Sequence, residues 1–227
     1  ALYGLAYSIG MLVQLFISGM NSALTPWMYS KIKKGDIRSM RKVLQLLSVV
    51  VVGIAVALML ISPELVLIFG SPKYREAVYV IPPVAASVFF IFIYNILSMP
   101  QFYYEKTQFL MAASMAAAGA NVVLNFIFIR LFGYIAAGYT TLACYMLYSV
   151  GHYIVSKRIL VNEGIQENLM NPGFLLACSV FLIGASIICN LIFPYRILRY
   201  AILLASAGLV FWKKELLLKT MADIRKK

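Results

Sequence analysis

The chain has 227 residues, 63% of them hydrophobic and only 12% charged, with a mean hydropathy of +0.88 and a formal net charge of +12. An ordinary soluble domain is about 45–50% apolar and about 25% charged, so a water-soluble fold is excluded. A nucleic-acid partner is excluded with it, because the basic residues sit in short gaps between apolar runs and not on one continuous basic surface.

A bilayer hides this much apolar surface, and its roughly 30 Å core requires helices of about 20 apolar residues. Seven such segments can be drawn. In hydrocarbon each must satisfy its own backbone, so each is expected to be a helix. Segment A covers residues 2–29. No charge occurs from Ala1 to Ser30, while Tyr3, Tyr7, Gly10, Gln14, Ser18, Asn21 and Thr25 recur at steps of three or four, which stacks them on one helix face. The uncharged start shows no basic leader followed by a cleavage site, and the chain is expected to begin part-way through a longer protein. The stretch "PWMYSKIKKGDIRSMRKV" then introduces Lys31, Lys33, Lys34, Arg38, Arg41 and Lys42 together. Segment B, 43–62, is almost wholly apolar.

Segment C, 77–103, carries Ser87, Tyr94, Ser98 and Gln101 on a similar stripe, followed by Glu105. Segment D, 108–129, continues the pattern with Thr107, Ser114, Asn121 and Asn125. Arg130 follows five residues later, about 7.5 Å along a helix axis, where it can either snorkel to the interface or reach into a cavity. Segment E, 134–154, has Thr141, Tyr145, Tyr148 and His152, the last read as a packing or interfacial residue. Segment F, 174–193, shows only the weak series Ser179, Ser186 and Asn190, and segment G, 197–212, shows none. Cys144, Cys178 and Cys189 lie inside apolar runs without a CxxC pair, so no disulfide framework or metal site is indicated.

Orientation follows from the basic residues. The A/B, C/D and E/F gaps and the tail after G hold fifteen Lys and Arg: the six named above, Lys106, Lys157, Arg158, Lys213, Lys214, Lys219, Arg225, Lys226 and Lys227. The opposite gaps hold five: Lys73, Arg75, Arg130, Arg196 and Arg199. The positive-inside tendency therefore puts the A/B loop and the C-terminus in the cytoplasm. Two readings of the polar stripes stand side by side. They are glue between helices, contributing about 0.6 kcal/mol per hydrogen bond, or they converge on a water-filled cavity. The unbroken length of A's face favours a cavity for A; C, D and E fit either reading.

Several ordered stretches resemble a known family: "YGLAYSI", "NSALTPWMYSKIKKGD", "SPELVLIFGSPKYREAVYVIPPVA", "YYEKT" and "NVVLNFIFIRLFGYIAAGYTTLACY". Over about residues 1–155 they look like the C-terminal half of a Wzx-type oligosaccharide flippase. That family lies in the superfamily that also holds lipid II flippases and multidrug/toxin extrusion transporters. "GYIAAGYTT" departs from the family's GxxGAAxAT pattern, yet Gly133, Ala136, Ala137 and Gly138 keep a close-packing surface. The resemblance implies two lobes around a central cavity that opens alternately to each side, with A as the second helix of its lobe.

The expected architecture is an all-α polytopic membrane helix bundle of about seven transmembrane helices. Residues 1–155 would form a C-terminal transporter lobe lacking its first helix, and 156–227 two accessory helices with a basic cytoplasmic tail. The implied function is translocation of undecaprenyl-diphosphate-linked oligosaccharide across the inner, cytoplasmic membrane for surface polysaccharide synthesis. A lipid II flippase or a multidrug or cation antiporter are the alternatives, with a membrane polysaccharide polymerase behind them. The candidate pathway residues are Tyr7, Gln14, Ser18, Asn21, Thr25, Tyr94, Gln101, Asn121, Asn125 and Arg130. No Ser/His/Asp set, phosphate-cradling loop or metal-ligand spacing is visible, so no catalytic residue, metal or cofactor is expected and the chain reads as a non-enzyme. Expected partners are the lipid-linked oligosaccharide, membrane lipids, the missing N-terminal lobe of the same protein, and a polysaccharide polymerase and glycosyltransferases.

Overall fold

The structure is a computed structural model that describes residues 2–70 and 72–212, and no strand occurs among them. The helices are α1 (Leu2–Lys33), α2 (Ile37–Leu60), α3 (Ser62–Phe69), a 3-10 segment (Pro72–Tyr79), α4 (Ile81–Tyr103), α5 (Gln108–Phe132), α6 (Ala136–Asn162), α7 (Pro172–Ile192) and α8 (Arg196–Trp212). All seven expected segments are helical, and the fold is an all-α membrane helix bundle. The basic residues of the tail, 213–227, and the side chain of Tyr3 lie outside the described residues.

Helix ends follow the local chemistry. Lys31 and Lys33 occupy the last turn of α1, where cations meet the negative end of the helix dipole. The chain reverses through Gly35 at φ 66°, a left-handed conformation that glycine adopts at no steric cost. Asp36 then caps α2 by accepting from the Ser39 N–H at 3.2 Å, and Lys31 binds its other oxygen at 2.5 Å. That lysine holds the Asp36 carboxyl below its ordinary range. Pro82 and Pro83 sit in the first turn of α4, where missing N–H groups leave no bond unmade. Asn171 caps α7 by accepting from the Gly173 and Phe174 N–H groups.

α4 is the axis of the bundle. It packs most extensively on α6, and after that on α1, α2 and α7, and its side chains from Ile81 to Ile93 are all buried. This explains why C reads as nearly continuous apolar sequence. Contacts along α4 and α6 ascend together: Gly138 lies against Val80 and Pro83, Ser149 Oγ donates to the Phe90 carbonyl, and Gln101 meets His152. The two helices are therefore parallel. α1 runs parallel to them, with Gly10 against Val84 and Thr25 against Met99, whereas α5 is antiparallel, pairing Ser114 with Tyr148 and Asn121 with Thr141.

Among the described residues, five helices are long and apolar enough to cross a membrane: Tyr7–Lys33, Ile37–Leu60, Tyr74–Tyr103, Gln108–Phe132 and Pro172–Ile192. Of the seven expected spans, α6 and α8 fall short by that measure. α8 has 17 described residues. α6 has 27, but Thr140, Thr141, Ser149, His152 and Ser156 dilute its apolar content. Those residues are buried inside the bundle, and the paired contacts keep α6 level with α4 from end to end. α6 thus runs through the same layer as α4, with Ser149 and His152 bonded to that helix, while Ser156 Oγ and His152 Nε2 stay buried without a protein partner.

The up-and-down order gathers the 34–36 turn, the 104–107 turn and the 163–171 loop at one end. Lys106 pairs with Glu163 at 2.7 Å, and Arg41 pairs with Glu167 at 3.4 Å and donates to the Asn168 carbonyl at 2.7 Å. At the other end, Arg199 of α8 binds Glu64 of α3, and Tyr134 donates to Glu76 at 3.0 Å.

Candidate functional site

The three- and four-residue steps in α1 place Gln14, Ser18, Asn21 and Thr25 on one wall of a cavity of about 300 Å³, with Tyr94 and Asn95 of α4 opposite. The hydroxyls here are tied locally, as Thr25 donates to the Asn21 carbonyl at 2.9 Å and Ser22 to the Ser18 carbonyl at 3.0 Å. Asn95 likewise donates to the Ile91 carbonyl at 2.7 Å. Asn21 differs. It is only 7% exposed, and neither its amide nitrogen nor its oxygen has a protein partner.

A second cavity, of about 470 Å³, lies on the other side of Tyr94. α1 contributes Tyr7, α5 contributes Ser114 and Asn121, and α6 contributes Thr141, Tyr145 and Tyr148. The rings of Tyr94 and Tyr145 lie parallel, 2° apart in plane with centroids at 6.2 Å, and the Tyr148 ring approaches Tyr94 to 4.7 Å. Ser114 and Tyr148 share a hydrogen bond of 2.8 Å. Behind Asn121, a short chain continues inward: Asn125 donates to Asn121 at 2.9 Å, and Thr140 donates to Asn125 at 2.5 Å. This chain fixes the direction in which the Asn121 amide is presented.

Seven of the candidate residues therefore line one cavity or the other: Tyr7, Gln14, Ser18, Asn21, Thr25, Tyr94 and Asn121. Asn125 stands one hydrogen bond behind. Gln101 is fully buried on α4 and donates to His152 Nδ1 at 2.8 Å, within a packet formed by Tyr94, Tyr148 and Phe109. It lines neither cavity. Arg130 is exposed, with its guanidinium 3.8 Å above the Phe126 ring, and it also lines neither.

Ser22 and Asn95 line the smaller cavity without standing on the predicted stripes. Each adjoins a stripe residue, and neighbours in sequence are about 100° apart on a helix, so a strict three-and-four step discards them. Tyr145, Tyr148, Thr141 and Ser114 were on recognised stripes, but nothing in one sequence says that three stripes meet.

Among the described residues, none that lines either cavity is charged, and no group of three His, Cys, Asp or Glu able to hold a metal occurs. Such walls offer neutral donors, neutral acceptors and aromatic faces. They suit a ligand rich in hydroxyls and give neither a phosphate nor an ammonium group an ion pair.

A family model described as MatE matches residues 1–127, which spans α1 to most of α5. No curated protein and no solved structure matches the chain.

Proposed function

The chain belongs to the MatE family, and from that premise we propose that it forms one lobe of a flippase for undecaprenyl-diphosphate-linked oligosaccharide. Membership places it among multi-pass membrane transporters of the multidrug, oligosaccharidyl-lipid and polysaccharide flippase superfamily. The Wzx-type specialisation rests on one observation, the uncharged walls of the two cavities that meet at Tyr94. A cation antiporter needs a carboxylate in its pathway to exchange ions, and no such residue is among those lining either cavity.

The physical logic is one of weak grip. Net hydrogen bonds contribute about 0.5–1.5 kcal/mol each, so a sugar crossing between Gln14, Ser18, Asn21 and Asn121 exchanges partners without meeting a deep well. The lipid tail stays in hydrocarbon beside the bundle. The diphosphate, finding no cation on either cavity wall, is neutralised elsewhere. In this reading the end carrying Lys33, Lys34, Arg38 and Lys42 faces the cytoplasm of the inner membrane, where anionic headgroups attract each cation by about 1 kcal/mol. Residues 1–155 form the working lobe, opposite a second lobe of the same protein. The segment 156–227 supplies accessory helices, and the polymerase and glycosyltransferases of the pathway act before and after.

The test is export in cells whose own flippase is deleted. Gln14→Leu and Asn21→Leu, each in the full-length protein, are expected to cut surface polysaccharide several-fold at unchanged membrane level and unchanged thermal stability in detergent. Normal export by both variants removes α1 from the pathway.

A further inference from the structure

We propose that the two cavities are consecutive subsites for the saccharide of the head group, the larger stacking sugar rings on Tyr94, Tyr145 and Tyr148, the smaller reading hydroxyls through Asn21, with Tyr94 as their shared wall. The proposal rests on the flippase reading and makes it specific. Its first support is the tyrosine cluster. Aromatic faces carry the negative side of the ring quadrupole, which receives the weakly positive C–H edges of a pyranose, while the Tyr148, Ser114 and Asn121 side chains stand beside the rings to meet its hydroxyls.

The second support is independent. An unpaired amide at 7% exposure forfeits the water it would otherwise bind, which is unfavourable until a partner is supplied. Asn21 lines the smaller cavity with both of its polar atoms buried and without a protein partner, so a turn of its side chain into the cavity lets a ligand that donates and accepts at adjacent positions complete it. Vicinal hydroxyls do so; an acyl chain does not. The cavity volumes, about 300 and 470 Å³, match the lower range of small-ligand pockets, roughly 300–1,000 Å³. Because Tyr94 borders both, a ring leaving one subsite enters the other across the face of a single side chain.

The rival for a tyrosine-lined cavity is a lipophilic cation held by cation–π attraction, and the experiment separates the two. Ala118→Cys, on the α5 wall of the larger cavity, is labelled with a hydrophilic maleimide in the full-length protein in nanodiscs, with Cys144, Cys178 and Cys189 changed to alanine. The added probe is undecaprenyl diphosphate bearing N-acetylglucosamine, the same lipid without sugar, or tetraphenylphosphonium. The sugar-bearing lipid is expected to slow labelling several-fold more than the sugarless one. Adding Tyr94→Leu or Tyr148→Leu is expected to abolish that difference, and Tyr94→Phe, which keeps the ring and the packing, to preserve it. Equal protection by the two lipids, or protection by tetraphenylphosphonium alone, overturns the proposal. Translocation of the sugar-bearing lipid in vesicles is measured alongside. If translocation occurs with equal protection, only the subsites fail; if it does not occur at all, the flippase reading fails.

Discussion

Arg199 is 3% exposed, and its guanidinium is held by three oxygens: the Leu60 carbonyl at 2.6 Å and both carboxylate oxygens of Glu64 at 2.8 and 2.9 Å. Tyr200 also donates to Glu64, at 2.8 Å. Burial alone raises the Glu64 carboxyl, but the bonds from Arg199 and Tyr200 outweigh it and hold the group below its ordinary value of 4.5. A carboxyl depressed in the folded state binds fewer protons there than in the unfolded chain. It therefore contributes stability above the ordinary value, and that contribution is lost as pH falls through the lowered one. The apparent Tm in detergent is expected to decline below about pH 4.5, with a shallower decline in Glu64→Gln. At neutral pH that variant is expected to lose about 1–3 kcal/mol, less than the roughly 3–5 of a fully buried pair, because the Glu64 side chain is 25% exposed. An unchanged Tm at pH 7 would show that α8 is docked without this pair. The sequence places Arg199 among the gaps opposite the basic ones but gives it no partner, since Glu64 is 135 residues away. The cavity residues are legible to the same degree: periodicity finds Gln14, Ser18 and Asn21 because one helix writes them, whereas Ser22 and Asn95 line the cavity through where a second helix stands.

Among the elements, the pairing of α4 with α6 sets the geometry of the larger cavity, and Gly138 is a point of close approach within it. A Cβ there would lie 2.7 Å from Pro83 Cγ and 3.2 Å from the Val80 carbonyl. The proline ring and the helix backbone cannot turn aside as a flexible side chain could, so the helices must part. Gly138→Ala is expected to cost about 1–3 kcal/mol, the range for overpacked interiors, and to reduce transport, because Tyr145 and Tyr148 move with α6. Gly53→Ala is the control. Its Cβ meets nothing within 4 Å on α2, and exchanging a mid-helix glycine for alanine gains roughly 0.5–1 kcal/mol. Detergent melts of the two variants check the contrast; equal stability would mean that α4 and α6 do not approach this closely in the bilayer. The close-packing surface at Gly133 to Gly138 was readable from small residues alone, but its partner was not. The limits of α6 show the converse, since hydropathy undervalues a span whose polar side chains are matched by neighbours, as Ser149 is by the Phe90 carbonyl and His152 by Gln101.

For the whole molecule, the charge asymmetry becomes a statement about which end faces which compartment. The fold brings the turns at 34–36, 104–107 and 163–171 to one end, so the basic residues of three separate gaps form one layer there, and Arg130 and Arg196 stand at the other. Moving that basic end across the membrane would forfeit headgroup attraction of about 1 kcal/mol for each of several cations, which is ample to hold a single orientation. Single cysteines at Gln166 and Tyr195, both exposed and in opposite connections, read that orientation in the full-length protein once Cys144, Cys178 and Cys189 are changed to alanine. A membrane-impermeant maleimide added to intact cells with a permeabilised outer layer is expected to label Tyr195→Cys and to spare Gln166→Cys until the inner membrane is opened. The reverse pattern would place the basic end outside, and α1 would then present its polar face to a substrate entering from the opposite compartment. Labelling of both before opening would mean that α7, the one helix between the two connections, does not cross the membrane. The experiment thus tests the crossing of α7 together with the direction of the basic end, and that direction decides from which compartment the layer holding Tyr94, Tyr145 and Tyr148 is first reached.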